Sequence, residues 1–144
     1  MQHSPARHSG FTLIEVMIAI LIVAVLTGVA LPAYQDSIRK TKRAEGKAAL
    51  LDLQNRMERF FIDKNSYATA CIGTGCAAGT QVLSSASTEH GYYTLSFPGG
   101  TLSANAYTLQ AAPTFTDTLC GNLTLTNTGV KSEGGTATSI TQCW

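Results

Sequence analysis

The chain has 144 residues and a net charge of +1, and it is 44% hydrophobic but only 13% charged. This length suits one domain with a modest core, and the charged share is well below the ~25% of an average soluble domain. The composition argues against three classes: a disordered chain, a highly basic nucleic-acid binder and a protein with several membrane spans.

The N-terminal part of the chain changes composition sharply along its length. Residues 1–10 form a polar leader, and residues 11–33 form an apolar segment whose only charge is Glu15. A helix of about 20 apolar residues can span a membrane. A carboxylate inside such a segment is costly unless it reaches the lipid headgroups, so it predicts a cationic partner that this segment does not supply. Pro32 lies just past the run and predicts a kink or an end of the helix.

The next segment, residues 34–64, has the pattern of an amphipathic helix. Its apolar stripe has helical spacing and consists of Leu50, Leu53, Met57, Phe60 and, beside them, Phe61. The other faces carry most of the cations, beginning with the cluster Arg39, Lys40, Lys42 and Arg43, which is expected to face solvent or a neighbouring chain. No strong stop signal interrupts this region, although Gly46 weakens it. The simplest prediction is one helix from Phe11 to about Lys64.

The last segment, residues 65–144, has the pattern of an antiparallel sheet. Alternating or β-rich runs at residues 92–97, 106–111 and 122–126, with a short run at 130–132, predict three or four strands joined by turns. The predicted apolar face consists of Leu95, Phe97, Tyr107, Leu109, Leu123 and Leu125. A sheet this small needs a helix on its apolar face, and the stripe from Leu50 to Phe61 is the expected partner.

The same segment contains all four cysteines, which indicate an oxidising compartment. They are Cys71, Cys76, Cys120 and Cys143. Three pairings are open, and the alternative, a zinc site, lacks the usual close paired spacing. A Gly-rich stretch at residues 73–78 has no preceding strand and predicts a loop rather than a dinucleotide site. His90 is expected to be structural or solvated rather than catalytic. We therefore predict no enzyme activity, no cofactor and no metal.

The residues around position 10 form a specific motif. A short basic leader ends in Gly10, Phe-Thr-Leu-Ile-Glu follows at residues 11–15, and the apolar run leads to Leu-Pro-Ala-Tyr-Gln-Asp at residues 31–36. This arrangement resembles the N-terminus of type IV prepilins. The resemblance implies an α+β fold of the type IV pilin kind. In it, the apolar half of a long N-terminal helix lies in the membrane or the filament core. The other half packs on a three- to four-stranded antiparallel β-meander with a C-terminal disulfide loop.

The resemblance also implies roles for individual residues. A prepilin peptidase would cut between Gly10 and Phe11 and methylate the new Phe11 amine. Glu15 would pair with the Phe11 amine of a neighbouring subunit, so proteolysis would create the missing cation. Gly28 and Pro32 would permit a kink or local loss of helix. The implied disulfides are Cys71–Cys76 and Cys120–Cys143.

The function that the resemblance implies is that of a major or minor pilin, a structural subunit that supports attachment, motility or DNA uptake. The expected partners are other pilins, the peptidase, the inner-membrane assembly machinery and, before assembly, membrane lipid. The precursor would span the inner membrane once, and the assembled subunit would be extracellular. Nucleic acid is not an expected partner, because residues 65–144 contain one lysine and three acidic residues.

Two alternatives to a pilus subunit stay open. A pseudopilin of a type II secretion system shares this N-terminus, but that group typically stabilises its C-terminal region with calcium rather than a cysteine pair. A secreted soluble binding protein behind a signal peptide would lose the apolar segment on export. The Cys143-Trp144 ending resembles a group of minor pilins.

Overall fold

The computed structural model describes residues 10–144, which divide into two compact units, one ending at Ile38 and the other comprising Arg39–Trp144. One helix, α1, runs from Leu13 to Lys64. Its start is two residues later than predicted, since Thr12 occupies the cap position and its carbonyl accepts the first helical hydrogen bond, from Val16 at 3.3 Å. The helix ends where Asn65 adopts a left-handed conformation with φ of 52°, a common helix stop.

The helix continues through Gly28 and Pro32, so neither residue ends it. Pro32 lacks the N–H that would bond to the carbonyl of Gly28, and the proline ring crowds that same carbonyl. Gly28 has open space around it in the described chain, with nothing within 4 Å of a Cβ placed there. The kink at these two residues stays a prediction.

The second unit contains the predicted antiparallel sheet, here with four strands in the order of the chain. The strands are β3 (Tyr93–Ser96), β4 (Thr108–Pro113), β5 (Leu123–Thr126) and β6 (Lys131–Glu133). Leu95 lies opposite Ala111, and Ala111 in turn lies opposite Leu123, which places apolar side chains on one face. Strand β4 extends to Pro113, beyond the predicted end, because Pro113 pairs with Tyr93 of β3. The proline is tolerated there because β5 pairs with β4 only as far as Ala111.

The core forms between the apolar stripe of α1 and the apolar face of this sheet, as predicted. Leu50, Leu53 and Met57 are fully buried, and Phe60 is nearly so. From the sheet side, the buried residues include Tyr93, Leu95, Tyr107, Leu109, Ala111, Leu123 and Leu125. Phe61 and Phe97 pack against the core and are only partly buried. The helix and the sheet therefore cover each other's apolar faces.

Two short strands between α1 and this sheet were not predicted. β1 (Cys71–Ile72) and β2 (Gln81–Leu83) form a parallel pair. Strands of two and three residues are too short to produce a readable alternation. The Cys71–Cys76 disulfide joins the start of β1 to the loop that leads to β2. This segment packs through Val82, which is buried in the core.

Gly46 has a packing role that the sequence analysis treated only as a weak point in the helix. It is buried, and a Cβ placed there would lie 2.8 Å from Cε2 of Tyr93. The Tyr93 ring is fully buried and lies edge-to-face with Phe115 at a centroid distance of 5.6 Å. The missing side chain therefore lets the helix approach the sheet at this ring.

In Gly46→Ala the added methyl overpacks a closed site, which costs about 1–3 kcal/mol. Alanine normally brings a helix a gain of about 1 kcal/mol, so the expected net destabilisation of the fold is up to about 2 kcal/mol. Thermal unfolding of the full chain in detergent micelles measures the difference. The control is Gly99→Ala, where nothing lies within 4 Å of the new Cβ. A stabilised Gly46→Ala chain would contradict the packing role.

Candidate functional site

The residues implied in leader cleavage lie just before α1. Gly10 and Phe11 are exposed and precede the helix, and the Phe11 side chain is 83% exposed. No described atom lies within 4 Å of a Cβ placed on Gly10, so the described fold does not itself demand glycine there. The rest of the leader, including Arg7, lies outside the described residues.

Glu15 lies in the first turn of α1 and is exposed. Its backbone N–H is 3.4 Å from Oγ1 of Thr12, and the Thr-x-x-Glu spacing is that of a capping box, which the sequence analysis missed. A carboxylate in a first turn also interacts favourably with the helix dipole. Phe11 and Glu15 line one groove of about 400 Å³, together with side chains of the next turn. The structure thus brings both implied assembly residues to one surface.

The apolar segment after Glu15 exposes its large side chains to an unusual degree. Every large hydrophobic residue from Phe11 to Leu31 is between 43% and 83% exposed. The most apolar 18-residue window of α1 has a mean hydropathy of 2.7, so by length and composition the helix could cross a membrane. A contiguous apolar surface of this kind marks a protein or membrane contact. Among the described residues of the first unit, this segment has no apolar partner.

The basic cluster at the start of the second unit is not simply a solvated face. Arg43 is buried, and its Nε and Nη2 donate to the two carboxylate oxygens of Asp117 at 2.7 and 2.6 Å. The two side chains are only 7% and 1% exposed. The expectation that this cluster faces solvent or another chain is therefore wrong for Arg43. The arginine precedes Leu50 by seven residues, so its place on the apolar stripe could have been read from the sequence.

Asp117 joins the helix to the C-terminal disulfide. One of its oxygens also accepts the backbone N–H of Cys120 at 3.2 Å, and Cys120 is bonded to Cys143. Burial alone would raise the pKa of Asp117, but the hydrogen bonds from Arg43 and Cys120 together with the charge of Arg43 lower it below its ordinary value. The carboxylate thus stays ionised in the interior and holds two segments of the chain together.

A second polar contact lies near the C-terminal end of α1. Glu58 accepts hydrogen bonds from the hydroxyls of Tyr67 at 3.0 Å and Tyr107 at 2.7 Å. Burial, and then the bond to Glu58, raises the pKa of both tyrosines. Both hydroxyls therefore stay protonated donors.

A surface cluster combines aromatic, basic and acidic groups beside the Arg43 contact. Lys42 Nζ lies 4.9 Å from the ring centroid of Tyr92 and 4.7 Å from that of Phe115. His90 stacks on Tyr92 at 5.7 Å, and its Nδ1 lies 2.8 Å from Oε2 of Glu45. His90 thus contacts two neighbours while its side chain stays 63% exposed, which is compatible with the expected structural or solvated role.

The C-terminal residues are held by several short contacts. The indole N–H of Trp144 donates to the carbonyl of Ser132 at 3.0 Å, and Lys131 Nζ lies 5.2 Å from its ring. The Cys120–Cys143 disulfide has the pairing that the resemblance implies, as does Cys71–Cys76. All four cysteines are therefore bonded in pairs, which leaves no thiolate for a zinc site. In the described part of the chain, no group of three or more His, Cys, Asp or Glu is placed to hold a metal ion.

Two family models match consecutive parts of the chain. One, described as "Prokaryotic N-terminal methylation motif", matches residues 5–31. The other, described as "Type IV minor pilin ComP, DNA uptake sequence receptor", matches residues 32–124, more than half of the chain. The first covers Gly10, Phe11 and Glu15, and the second covers most of the helix–sheet unit.

Individual relatives agree with these matches. The type IV major fimbrial protein FimA of Dichelobacter nodosus is 36% identical over 96 residues, which cover 67% of this chain and 54% of FimA. The type II secretion system core protein G of Aeromonas hydrophila is 32% identical over 63 residues, or 44% of either chain. The chain spans about half the length of the curated relatives it matches.

A solved structure shares the fold. The non-core minor pilin PilV of Neisseria meningitidis superimposes with a TM-score of 0.50 at 22% identity, covering 73% of this chain and 95% of that one. The match supports the helix–sheet architecture. Because one family model matches more than half of the chain and a second matches its N-terminal motif, the chain belongs to the type IV pilin family.

Proposed function

We propose that this chain is a structural subunit of a type IV pilus that assembles through its N-terminal helix. The observation that carries the proposal is the exposed apolar surface of residues 11–31, broken by the single charge of Glu15. Before assembly, membrane lipid covers this surface, and the subunit is a single-pass inner-membrane precursor. After assembly, neighbouring pilins cover it in an extracellular filament.

Processing prepares the subunit for assembly. A prepilin peptidase and methyltransferase cuts between Gly10 and Phe11 and methylates the Phe11 amine, and the inner-membrane machinery then extracts the chain. The cut creates a cation, and Glu15 of a neighbouring subunit pairs with it. The exposure of Gly10 and Phe11, ahead of the first helical turn, supports access of the enzyme to this bond.

In this function, each of four segments of the chain has its own role. Residues 1–10 are the removable leader, residues 11–33 are the membrane and filament-core segment, residues 34–64 support the sheet, and residues 65–144 form the outward surface. A kink at Gly28 and Pro32 would let the core segment bend between neighbours. Receptor or adhesive contacts would then lie in the loops outside the core.

The intact mass of the chain, taken from filaments sheared off the surface of its native host, tests this function. The expected chain starts at Phe11, carries one added methyl and lacks four hydrogens, two for each disulfide. A soluble chain that starts near Leu31 would instead indicate a signal peptide and refute the pilus assignment. An uncut chain confined to the membrane would refute processing and assembly.

A second role, as a DNA receptor on the filament, is favoured by the description of the model that matches residues 32–124. The positions of the exposed cations indicate which surface of the second unit could bind DNA. Asp117 is buried and paired with Arg43, so it does not oppose DNA at the surface. The exposed cations near the far end of α1 are Arg56, Arg59 and Lys64. This role competes with the sequence-based expectation that nucleic acid is not a partner.

Titration of the full chain in detergent micelles with a labelled DNA duplex decides between these two expectations. A receptor should bind at low salt, with an affinity that falls as log salt rises, at a slope of about −0.9 per phosphate contact. A duplex of scrambled sequence distinguishes specific from general binding. Absence of binding at 50 mM salt, a condition that favours charge contacts, would exclude the DNA role and leave the pilus role intact.

A further inference from the structure

A groove on the second unit lies between α1 and the chain that follows β2, and its volume is about 350 Å³. Most of its wall is apolar surface, supplied by Ala48, Ala49, Leu83 and Leu95. Its rim carries three carboxylates and the hydroxyls of a serine-rich stretch at residues 84–88. Concave sites of more than about 300 Å³ that combine an apolar wall with a few polar groups are typical of ligand binding. The groove therefore suits a ligand that has an apolar stem and a polar end.

The three carboxylates lie at the two ends of this groove. Glu45 and Asp52 both belong to α1, and their spacing puts them on one face of the helix, about 10 Å apart along its axis. Glu89 belongs to the same end as Glu45, because the next residue in the chain, His90, contacts Glu45. One end of the groove thus has two carboxylates, and the other end has one.

The two ends differ in how their charges are compensated. Asp52 pairs with Arg56, whose Nε lies 2.7 Å from Oδ2, so the far end carries little net charge. In the part of the chain that the structure describes, neither Glu45 nor Glu89 forms an ion pair with a lysine or an arginine. The acidic end, at Glu45 and Glu89, is therefore the part of the groove that attracts a cation.

Glu45 keeps its negative charge at the acidic end. Burial raises its pKa, but hydrogen bonds from Thr88 and His90 lower it below its ordinary value, so the carboxylate is ionised at neutral pH. Oε1 accepts the backbone N–H of His90 at 3.2 Å, and Oε2 lies 2.8 Å from Nδ1 of the ring. A carboxylate has about four acceptor sites, so the contacts with Thr88 and His90 leave room for one more donor.

We propose that this groove binds a lysine side chain of a partner protein. The aliphatic stem of the lysine covers the apolar wall, and its ammonium group lies between Glu45 and Glu89. Arginine fits less well, because a guanidinium binds best to both oxygens of one carboxylate, and both oxygens of Glu45 already contact His90. A polyamine also fits less well, since its second ammonium group would meet the charge of Arg56 at the far end.

The binding site adds to the pilus role and does not depend on it. Processing and assembly use the N-terminal segment, whereas the groove belongs to the second unit. It would give the outward surface of the subunit a preference for lysine-bearing proteins.

Titration of the full chain in detergent micelles with Nα-acetyl-lysine methylamide tests the site. Binding is followed by the NMR shifts of the backbone amides of Ala48, Ser84 and Ser85, which line the groove. The norleucine analogue has the same stem without the ammonium group and should bind at least about tenfold more weakly. The arginine analogue should also bind more weakly than the lysine probe. Equal binding of the norleucine and lysine probes would refute a site for a cation.

Two variants separate the charge from the apolar wall. Glu89→Gln removes one carboxylate at an exposed position and should lower the affinity for the lysine probe at least about tenfold. Ala48→Leu, also at an exposed position, keeps every charge but fills the groove, and it should weaken binding to a similar extent. The matched control is Glu133→Gln, the same change on β6 outside the groove, which should bind like the wild-type chain.

Three results would overturn the proposal. If Glu133→Gln weakens binding as much as Glu89→Gln, the probe responds to the overall charge of the unit and not to this groove. If Ala48→Leu binds like the wild-type chain, the stem does not lie on the apolar wall. If spermidine binds more tightly than the lysine probe, the site belongs to a polyamine. Because the titration uses unassembled chains, none of these results affects the pilus role, and a failure of that role leaves the titration unchanged.

Discussion

Replacing Glu15 by glutamine is expected to leave the chain cut and methylated but to reduce its incorporation into filaments at least about 100-fold. The reason is that the Phe11 amine of the neighbouring subunit would be buried among apolar side chains without its counter-charge. An uncompensated buried charge costs about 3–5 kcal/mol, and each 1.4 kcal/mol is about a factor of ten. Immunoblots of sheared filaments and of membranes from the same cells measure incorporation and processing together.

Glutamine is the informative substitution because of the capping geometry at Thr12. Either Glu or Gln is favoured at the N3 position of a capping box, so Glu15→Gln removes the charge and keeps a side chain of the same size that suits this position. Glu15→Ala removes both the charge and that side chain. The matched control is Thr12→Ala, which removes the hydroxyl 3.4 Å from the Glu15 N–H and leaves the carboxylate in place. If the Glu15→Gln chain enters filaments normally, the pairing role of Glu15 is refuted, whatever the incorporation of the Thr12→Ala chain.

The helix, the four-stranded sheet and the contact between them could all be predicted, because each depends on a periodic pattern. The stripe from Leu50 to Phe60 repeats at helical spacing, and strand β5 alternates without interruption. Each of the two faces needs an apolar partner, so their association follows from the two patterns. The start of α1 was missed by two residues, since the Thr-x-x-Glu signal was not used.

Contacts between residues far apart in the chain could not be predicted in the same way. Arg43 and Asp117 are 74 positions apart, and a charged residue on an apolar stripe is compatible with either a solvated edge or a buried pair. Gly46 is a similar case. The sequence shows a helix-weakening residue, whereas the reason for it is the Tyr93 ring 47 positions later, brought within 2.8 Å of where a side chain would begin.

In the candidate site, too, features that depend on a local motif could be predicted, and features that depend on distant residues could not. Gly10, Phe11 and Glu15 were identified from a local motif, and the structure adds that the last two share a groove. The groove of about 350 Å³ beside Glu45, by contrast, is formed by α1 together with residues that follow β2. No local sequence pattern predicts it. The division into a leader, a core segment and an outward unit stays a prediction that only processed, assembled protein can test.

The other large effect is expected at the buried ion pair. Asp117→Asn should destabilise the second unit by about 3–5 kcal/mol, because Arg43 stays buried without a counter-charge. The asparagine oxygen can still accept the Cys120 N–H, so the loss reports mainly the charge. In a unit of this size each kcal/mol lowers the Tm by about 4–8 °C. Thermal unfolding of the full chain in detergent micelles, followed by circular dichroism, measures the shift.

A double-mutant cycle separates the pair from its surroundings. Arg43→Met replaces the arginine by an unbranched apolar side chain, and the double variant with Asp117→Asn should lose less stability than the two single losses combined, because neither partner is then left as an unpaired charge. The control is Asp52→Asn, which breaks the exposed Arg56–Asp52 pair, whose side chains are 48% and 58% exposed. That change should cost only about 0.3–0.5 kcal/mol.

The pH dependence of the free energy of unfolding tests the role of the Asp117 charge independently. The pKa of Asp117 is lower in the folded chain than its ordinary value of 3.8, so the pair stabilises the fold fully above that value, and its contribution disappears as the pH falls through the folded pKa. The gap in stability between the wild-type and Asp117→Asn chains should therefore be widest near neutral pH and should narrow below about pH 4. A gap that stays constant down to pH 2 would mean that the carboxylate charge is not what holds the C-terminal disulfide to the helix.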